Sequence, residues 1–395
     1  MSRRLYLDNA ATSFPKPREV AEAMMRYSGE VGASAGRGAY AEARESARII
    51  RVCRERLNAL FNGEDANHFV FTLNCSDALN LAIQGMLRSG DHAITTAMDH
   101  NSVLRPLNAL VADGGITQTR VAVDPATCVV DPDDVRRAIT PRTRLIAMVH
   151  GSNVTGSIQP IREIGAMARE RGIVFLVDAA QTAGHLPIDV RADHIDLLAF
   201  PGHKGLLGPL GTGALYIRPG VEKVLRPLRY GGTGSVSEQD TQPEFMPDKF
   251  ETGSHNAIGI AGWSEGLAWI LKKGVAALWE HDRALCKTFM EEVENVEGLR
   301  YFGPQGIVSR MGVFSVRIEG MDPVRLSGRL EEEFGILTRP GLHCAPLAHE
   351  TLGTTRLGGT TRLSFGAFLE PIEMRYAADA LSTIALESYR HPVVA

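Results

Sequence analysis

From about residue 69 to 217 the chain alternates short, continuously apolar runs with stretches of helical period. HFVFTL (68–73) reads as a strand. The following SDALNLAIQGMLRSG places Ala78, Leu79, Ala82, Ile83, Met86 and Leu87 on one helical stripe. HAITTAM (92–98) reads as a second strand and RVAV (120–123) as a short one. DPDDVRRAI carries Asp131 as a helix N-cap with Pro132 in the first turn. RLIAMVH (144–150), GIVFLVD (172–178), IDLLAF (195–200) and GALYIR (213–218) are further strands, and PIREIGAMARERG (160–172) is a helix ending at Gly172. Apolar runs separated by helices predict a largely parallel sheet covered on both faces.

The pattern changes after about residue 260. Two long helical stretches run through 260–297. GVFSVRIEG (312–320) is a strand, DPVRLSGRLEEEFG a helix, and ILTRP and TRLSFG short strands. PIEMRYAADALSTIAL is the last helix. This second part reads as a smaller α+β unit. No Pro/Gly/Ser-rich linker marks the join near 258–275, so the expectation is that the two lobes share a long helix. No repeat or low-complexity tract interrupts the chain.

Length adds that 395 residues suffice for two or three lobes with a sizeable core. With 44% hydrophobic and 22% charged residues the chain is not wholly disordered. A net charge of −4 without a long basic run gives nucleic-acid binding no support. No apolar run approaches the roughly 20 residues that span a bilayer, and MSRRLYLDNAATSFP has no apolar signal core. The five cysteines (Cys53, Cys75, Cys128, Cys286, Cys344) are odd in number and widely spaced, without a CxxC. That argues against a disulfide framework and fits a reducing cytoplasm. The histidines are scattered without ligand spacing, so no metal site is expected.

Candidate chemistry gathers in five places. DLLAFPGHKGLLGPLGTGALYIR (196–218) delivers His203-Lys204 into a Gly-rich loop. A desolvated lysine there suits a Schiff base, or binds phosphate as a point charge, or is a surface lysine. Asp178 ends the apolar strand of LVDAAQTAGH. A carboxylate there needs a partner, and a pyridinium nitrogen is one; capping the next turn is the other reading. In FTLNCSDALN, Cys75 and Ser76 sit at a strand-to-helix junction, which is either an anion site or a plain N-cap. His100 in DHNSV has an imidazole suited to stacking on a planar ring, or lies on the surface. Cys344 stands beside His343 in a polar stretch, where cationic surroundings favour thiolate. Arg362 lies on a strand-like run and suits a bidentate carboxylate grip. The Gly/Thr-rich residues after Cys344 predict a mobile loop.

Taken in order, YLDNAATSFPKP, NCSDALNLA, MDHNS, HGSNVTG, VDAAQ, GHKGLLGPLGTG, FETGSHN and RPGLHCAP followed by Arg362 resemble the class V aminotransferase family of pyridoxal phosphate (PLP) enzymes. The resemblance is greatest to the group II cysteine desulfurases and selenocysteine lyases, and covers nearly the whole chain. It implies a type I PLP-dependent transferase fold. A large domain, 15–260, would carry a mainly parallel seven-stranded sheet flanked by helices. A smaller α+β domain, 1–14 and 261–395, would carry the Cys344 loop and Arg362. The family's roles then fall on matching positions. Lys204 is similar to the Schiff-base lysine that also moves protons. Asp178 resembles the pyridinium partner, His100 the ring-stacking residue, and Gln181 the residue that bonds the phenolic oxygen. Asn153 and Arg362 match positions that hold the substrate carboxylate. The Cys75 backbone, Ser76 and His203 match the phosphate cup, and Ser235 the hydroxyl lent by a neighbouring subunit of a homodimer. Cys344 matches the thiol that takes the substrate sulfur as a persulfide.

The implied reaction is conversion of L-cysteine to L-alanine, with sulfur passed to a thiol or a carrier protein. The sequence departs from the pattern at Pro201, where relatives often carry a phosphate-binding Ser or Thr; Thr233 or a water would replace that hydroxyl. It departs again at Leu342-His343, where many relatives carry two polar residues. A selenocysteine lyase acting on L-selenocysteine is the nearest alternative. Another class V aminotransferase or β-eliminating lyase would leave Cys344 without a role. A sulfur-trafficking scaffold would not need Lys204, Asp178, His100 and Arg362 together. A nucleotide-binding protein would need the GxxxxGK[ST] order, which GHKGLLGPLGTG lacks.

Overall fold

The structure is a computed structural model that describes residues 4–36 and 38–390. A short strand β1 (Leu5–Tyr6) precedes helices α1 (Arg18–Arg26) and α2 (Ala41–Phe61). The alternating region then runs β2 (Phe69–Thr72), α3 (Cys75–Met86), β3 (His92–Thr96), α4 (Asn101–Ala112), β4 (Thr117–Val121), α5 (Pro132–Ala138), β5 (Thr143–Val149), α6 (Ile161–Glu170), β6 (Val174–Asp178), β7 (Leu197–Pro201) and β8 (Gly213–Ile217). These strands form one seven-stranded sheet in the order β2-β8-β7-β6-β5-β3-β4. The neighbours from β4 to β7 are parallel, and β8 runs antiparallel to both β7 and β2.

The mixed α/β class with a large, mainly parallel sheet flanked by helices is therefore as expected. Its apolar strands are explained by two-sided burial. In β5, Ile146 and Met148 enter one core with α2 and α6, while Leu145 and Ala147 enter the other with α3. The fourth strand lies at 117–121 instead of 120–123. Its sequence TQTRV is mostly polar because it is an edge strand paired only to β3.

The second part contains α7 (Ala257–Lys273), α8 (Val275–Val293), β9 (Leu299–Tyr301), β10 (Val313–Ile318), α9 (Pro323–Phe334), β11 (Ile336–Leu337), β12 (Arg339–Gly341), α10 (Pro346–Thr351), β13 (Thr360–Ser364) and α11 (Pro371–Arg390). An antiparallel sheet of order β12-β13-β10-β9 is its centre, and β1 pairs in parallel with β11.

The shared long helix is not found. Gly274, at φ 83° and ψ 128°, ends α7 and starts α8. The two helices serve mainly different cores. Ile260, Trp263, Leu267 and Ile270 pack with the large sheet, whereas Leu285, Cys286 and Phe289 pack with the small one. The start of α8, at Val275 and Leu278, still packs against the large-sheet core. Glycines let α7 approach closely: a Cβ at Gly262 would lie 2.7 Å from Met24 Cγ, and one at Gly266 2.9 Å from the Leu206 carbonyl.

The lobes are stitched along one loop after β5. The carbonyls of Asn153, Val154, Thr155 and Gly156 accept, in turn, from Arg362 Nη1 (3.1 Å), Ser315 Oγ (2.7 Å), Arg310 Nη1 (2.9 Å) and the Met311 N–H (2.9 Å). Among the described residues no helix is long and apolar enough to cross a membrane.

Candidate active site

The ends of β3, β5, β6 and β7 converge at the carboxyl edge of the sheet, where open α/β sheets hold ligands. A cavity of about 110 Å³ opens there. Cys75, Ser76, His100, Asn153, Asp178, Gln181, His203 and Lys204 all line it. Eight residues singled out from separate motifs therefore meet in one place. A larger cleft of about 440 Å³ lies among α1, α2 and α7, but its arginines Arg26, Arg48 and Arg56 are already paired with Glu45 and Glu265.

Asp178 is the last residue of β6 and is buried. Its Oδ1 accepts the Ala180 N–H (2.9 Å) and the Cys75 thiol (3.5 Å), leaving Oδ2 without a protein partner among the described residues. Burial pushes its carboxyl up, and the Ala180 N–H and Lys204 pull it down. Burial raises the Cys75 thiol well above its ordinary range, so Cys75 is a neutral donor. Lys204 follows β7 on a turn closed by the Leu207 N–H on its carbonyl (2.8 Å). Burial lowers its ammonium pKa, with Arg362 and Arg339 acting in the same sense and Asp178 opposing them.

His100 is the N-cap of α4. Its Nδ1 accepts the Ser102 N–H at 3.0 Å, so the neutral ring carries its proton on Nε2. The Ser102 hydroxyl lies 2.9 Å from the same Nδ1 and 2.7 Å from Ser76 Oγ. Burial, then Lys204 and the nearby arginines, lower the His100 pKa to about 4. His203 is lowered likewise, to about 4, and its Nδ1 is buried without a partner. Gln181 donates to the Ala10 carbonyl (3.1 Å).

Arg362 and Cys344 do not line the cavity; they stand behind Asn153, which does, on the small-lobe side. Arg362, on β13, is 1% exposed; its Nη2 meets Asp8 Oδ1 at 2.7 Å and its Nε has no partner. An unserved guanidinium N–H at so buried a position marks a place for an oxygen acceptor. Asn153 Nδ2 donates to the His343 carbonyl (2.6 Å), and its Oδ1 is also unserved. Cys344 is exposed, in a turn between β12 and α10. His343 and Cys344 both adopt left-handed backbone, φ 49° and 59°.

Backbone hydrogen bonds tie that turn at two points. The Asn101 N–H donates to the Cys344 carbonyl (2.8 Å), and the Ala345 N–H closes back on Leu342 (3.0 Å). The Gly/Thr-rich residues beyond it form α10, a short 3-10 turn and β13. Thr360 donates to Ser315 Oγ (2.9 Å), and Ser315 to the Val154 carbonyl. Thr360 Oγ1 therefore accepts from His343 Nε2 (3.1 Å). Ser235 does not line the cavity; it is exposed, with Thr233 Oγ1 2.9 Å from its hydroxyl.

Three groups escaped the sequence reading. Arg339 Nη2 is 3.9 Å from Cys344 Sγ, five residues upstream inside the motif already quoted. Asp8 sits within YLDNAAT. Asp99, beside His100, is fully buried and binds the Thr96 and Val149 N–H groups (2.6 and 2.7 Å), joining the ends of β3 and β5. Burial raises its carboxyl to about 7.

The aminotransferase class-V family model matches residues 5–373. The chain belongs to the class V aminotransferase family. A relative from Methanothermobacter thermautotrophicus, named "probable cysteine desulfurase", is 36% identical over 385 residues, 96% of this chain and 94% of the relative. Among solved structures, the apo cysteine desulfurase of Thermococcus onnurineus NA1 is similar with a TM-score of 0.91 and 30% identity. The two cover 97% of this chain and 95% of that one. The Escherichia coli cysteine desulfurase CsdA, as its S-sulfonic acid, gives 0.86 and 28% with the same coverage.

Proposed function

We propose that this class V aminotransferase is a PLP-dependent cysteine desulfurase. It converts L-cysteine to L-alanine and receives the sulfur on Cys344. The observation that carries this reading is the meeting of Lys204, Asp178 and His100 in one cavity, with the turn of Cys344 docked on Asn153 of its lining. Its relatives named cysteine desulfurase, similar over almost their whole length, support it.

The residues fit PLP. Asp178, with Oδ2 free, suits a protonated pyridine nitrogen. His100 suits the ring face. Ser76, the N-terminus of α3 and the unserved His203 Nδ1 suit a phosphate. Bound there, the cofactor supplies an electron sink for the pair released at the substrate Cα. Lys204, its pKa lowered by burial, offers a neutral amine to link to the cofactor and to carry the Cα proton. Arg362 Nε and Asn153 hold the substrate carboxylate. The Cys344 sulfur attacks the substrate sulfur. The substrate Cβ–S bond breaks, a new S–S bond forms on Cys344, and the three-carbon fragment leaves as alanine. L-cysteine plus a thiol thus gives alanine plus a persulfide, with no outside oxidant. A thiol or carrier protein then takes the sulfur. The enzyme acts as a homodimer, with Ser235 lent to the partner's phosphate site.

Alanine release from L-cysteine with added reductant tests the reading. Wild type should form alanine. Cys344→Ser should lose nearly all of it while keeping the bound chromophore. No alanine from either protein, with the chromophore present, overturns the cysteine assignment.

A further inference from the structure

One oxygen beside the cavity has more donors than lone pairs. The His203 carbonyl accepts from the Ser13 N–H (3.0 Å), Thr12 Oγ1 (3.0 Å), Ser13 Oγ (3.2 Å) and Lys16 Nζ (3.2 Å). It is the oxygen of the peptide bond that joins His203 to Lys204. A carbonyl has two lone pairs, and the Ser13 N–H and the Thr12 hydroxyl already fill them. Lys16 is therefore surplus to hydrogen-bond satisfaction.

The ammonium of Lys16 spends its three protons on neutral acceptors: the Ser13 carbonyl (3.0 Å), Ser13 Oγ (2.7 Å) and the His203 carbonyl. No carboxylate pairs with it among the described residues, and burial lowers its pKa to about 8. A cation held partly out of water without a counter-ion is destabilising. An apolar side chain would fill the same space at less cost. The benefit has to lie in what the cation touches. Its neighbours on the chain show the same convergence: the Gly202 N–H donates to Thr212 (2.8 Å), and the Lys204 carbonyl accepts from Leu207. The peptide groups around Lys204 are fixed on both sides. The charge of Lys16 bears on His203, and its contact toward Lys204 is through the peptide bond the two residues share. Its action is one of placement.

We propose that Lys16 is a positioning residue that locks the His203–Lys204 peptide, so that the Lys204 amine is presented to the cofactor aldehyde. The proposal rests on the reading of Lys204 as the cofactor-linking lysine.

The test uses the full chain stripped of cofactor. Covalent capture of PLP is followed by absorbance and fixed with borohydride. Binding of pyridoxine 5′-phosphate, which has no aldehyde, reports the pocket alone. Lys16→Met and Lys16→Gln should each slow covalent capture about tenfold, since small misplacements of a reacting group carry such costs. Pyridoxine 5′-phosphate affinity should stay within about twofold. Lys16→Arg, which keeps a cation of sufficient reach, should recover most of the rate. Capture at the wild-type rate in both neutral variants overturns the proposal. So does a parallel loss of capture and of pyridoxine 5′-phosphate binding, the signature of a loosened pocket. A Lys204→Ala protein that still fixes the label would instead sink the assignment of Lys204 itself.

Discussion

On the large-lobe wall of the cavity Asp178 and His100 each have a partner close in sequence: Asp178 is bonded by Ala180 and His100 by Ser102, two residues away in each case. On the small-lobe side, behind Asn153, the partners are all remote. Asn153 and His343 are 190 residues apart, Arg362 and Asn153 209, and Arg362 and Asp8 354. The first wall forms in part with its strand–helix units, and its Lys204 peptide is completed by the Thr12–Lys16 segment. The second exists only when both lobes and the N-terminal segment are docked, so seating of the lobes would complete the proposed carboxylate grip.

Acid should strain both walls alike and give the largest effect. Burial lowers His150 and His185 to about 4 and His343 to about 2. In the unfolded chain these imidazoles take protons from about pH 6.5 downward, so stability falls as pH drops from 6.5 toward 4. A fully buried one such as His150 costs up to about 3 kcal/mol by pH 4. Asp99 (about 7) and Asp282 (about 6) act in the opposite sense but are fewer. A thermal midpoint as high at pH 4.5 as at pH 7 would contradict the burial of these rings.

Arg310→Leu should separate the walls. Its guanidinium serves the carbonyls of Thr155, Phe302, Pro304 and Val313 and packs 4.4 Å over Phe314. Removing it should cost about 3 to 5 kcal/mol in denaturant unfolding. Retained pyridoxine 5′-phosphate binding beside weakened L-cysteine binding is expected. Equal loss of both would mean that the walls are not independent. Asp8→Asn should be milder, raising KM for L-cysteine about tenfold, equivalent to about 1.4 kcal/mol, with kcat changed less. A lower KM would show that Asp8 competes with the substrate for Arg362.

The same contrast explains what the sequence reveals. Asp178, His100 and Lys204 stand out because an apolar strand, a cap or a Gly-rich turn surrounds each of them locally. The polar edge strand β4 misleads because one-sided pairing frees it from the apolar pattern. The helix break at Gly274 is hidden because α7 and α8 look alike in period. Asp8 acts on the Arg362 guanidinium and Arg310 on the Thr155 carbonyl far along the chain, and no spacing rule reports such partners. Composition suggested a loose segment after Cys344, yet the carbonyls of His343 and Cys344 are both claimed by the large lobe.

That last feature bears on delivery. With the carbonyls of His343 and Cys344 both bonded, rotation about χ1 sweeps the Cys344 sulfur over a few ångströms. On the proposed role of Cys344, a sulfur held there would leave from an exposed side chain on a tied turn. The acceptor would then bring its own thiol to residue 344.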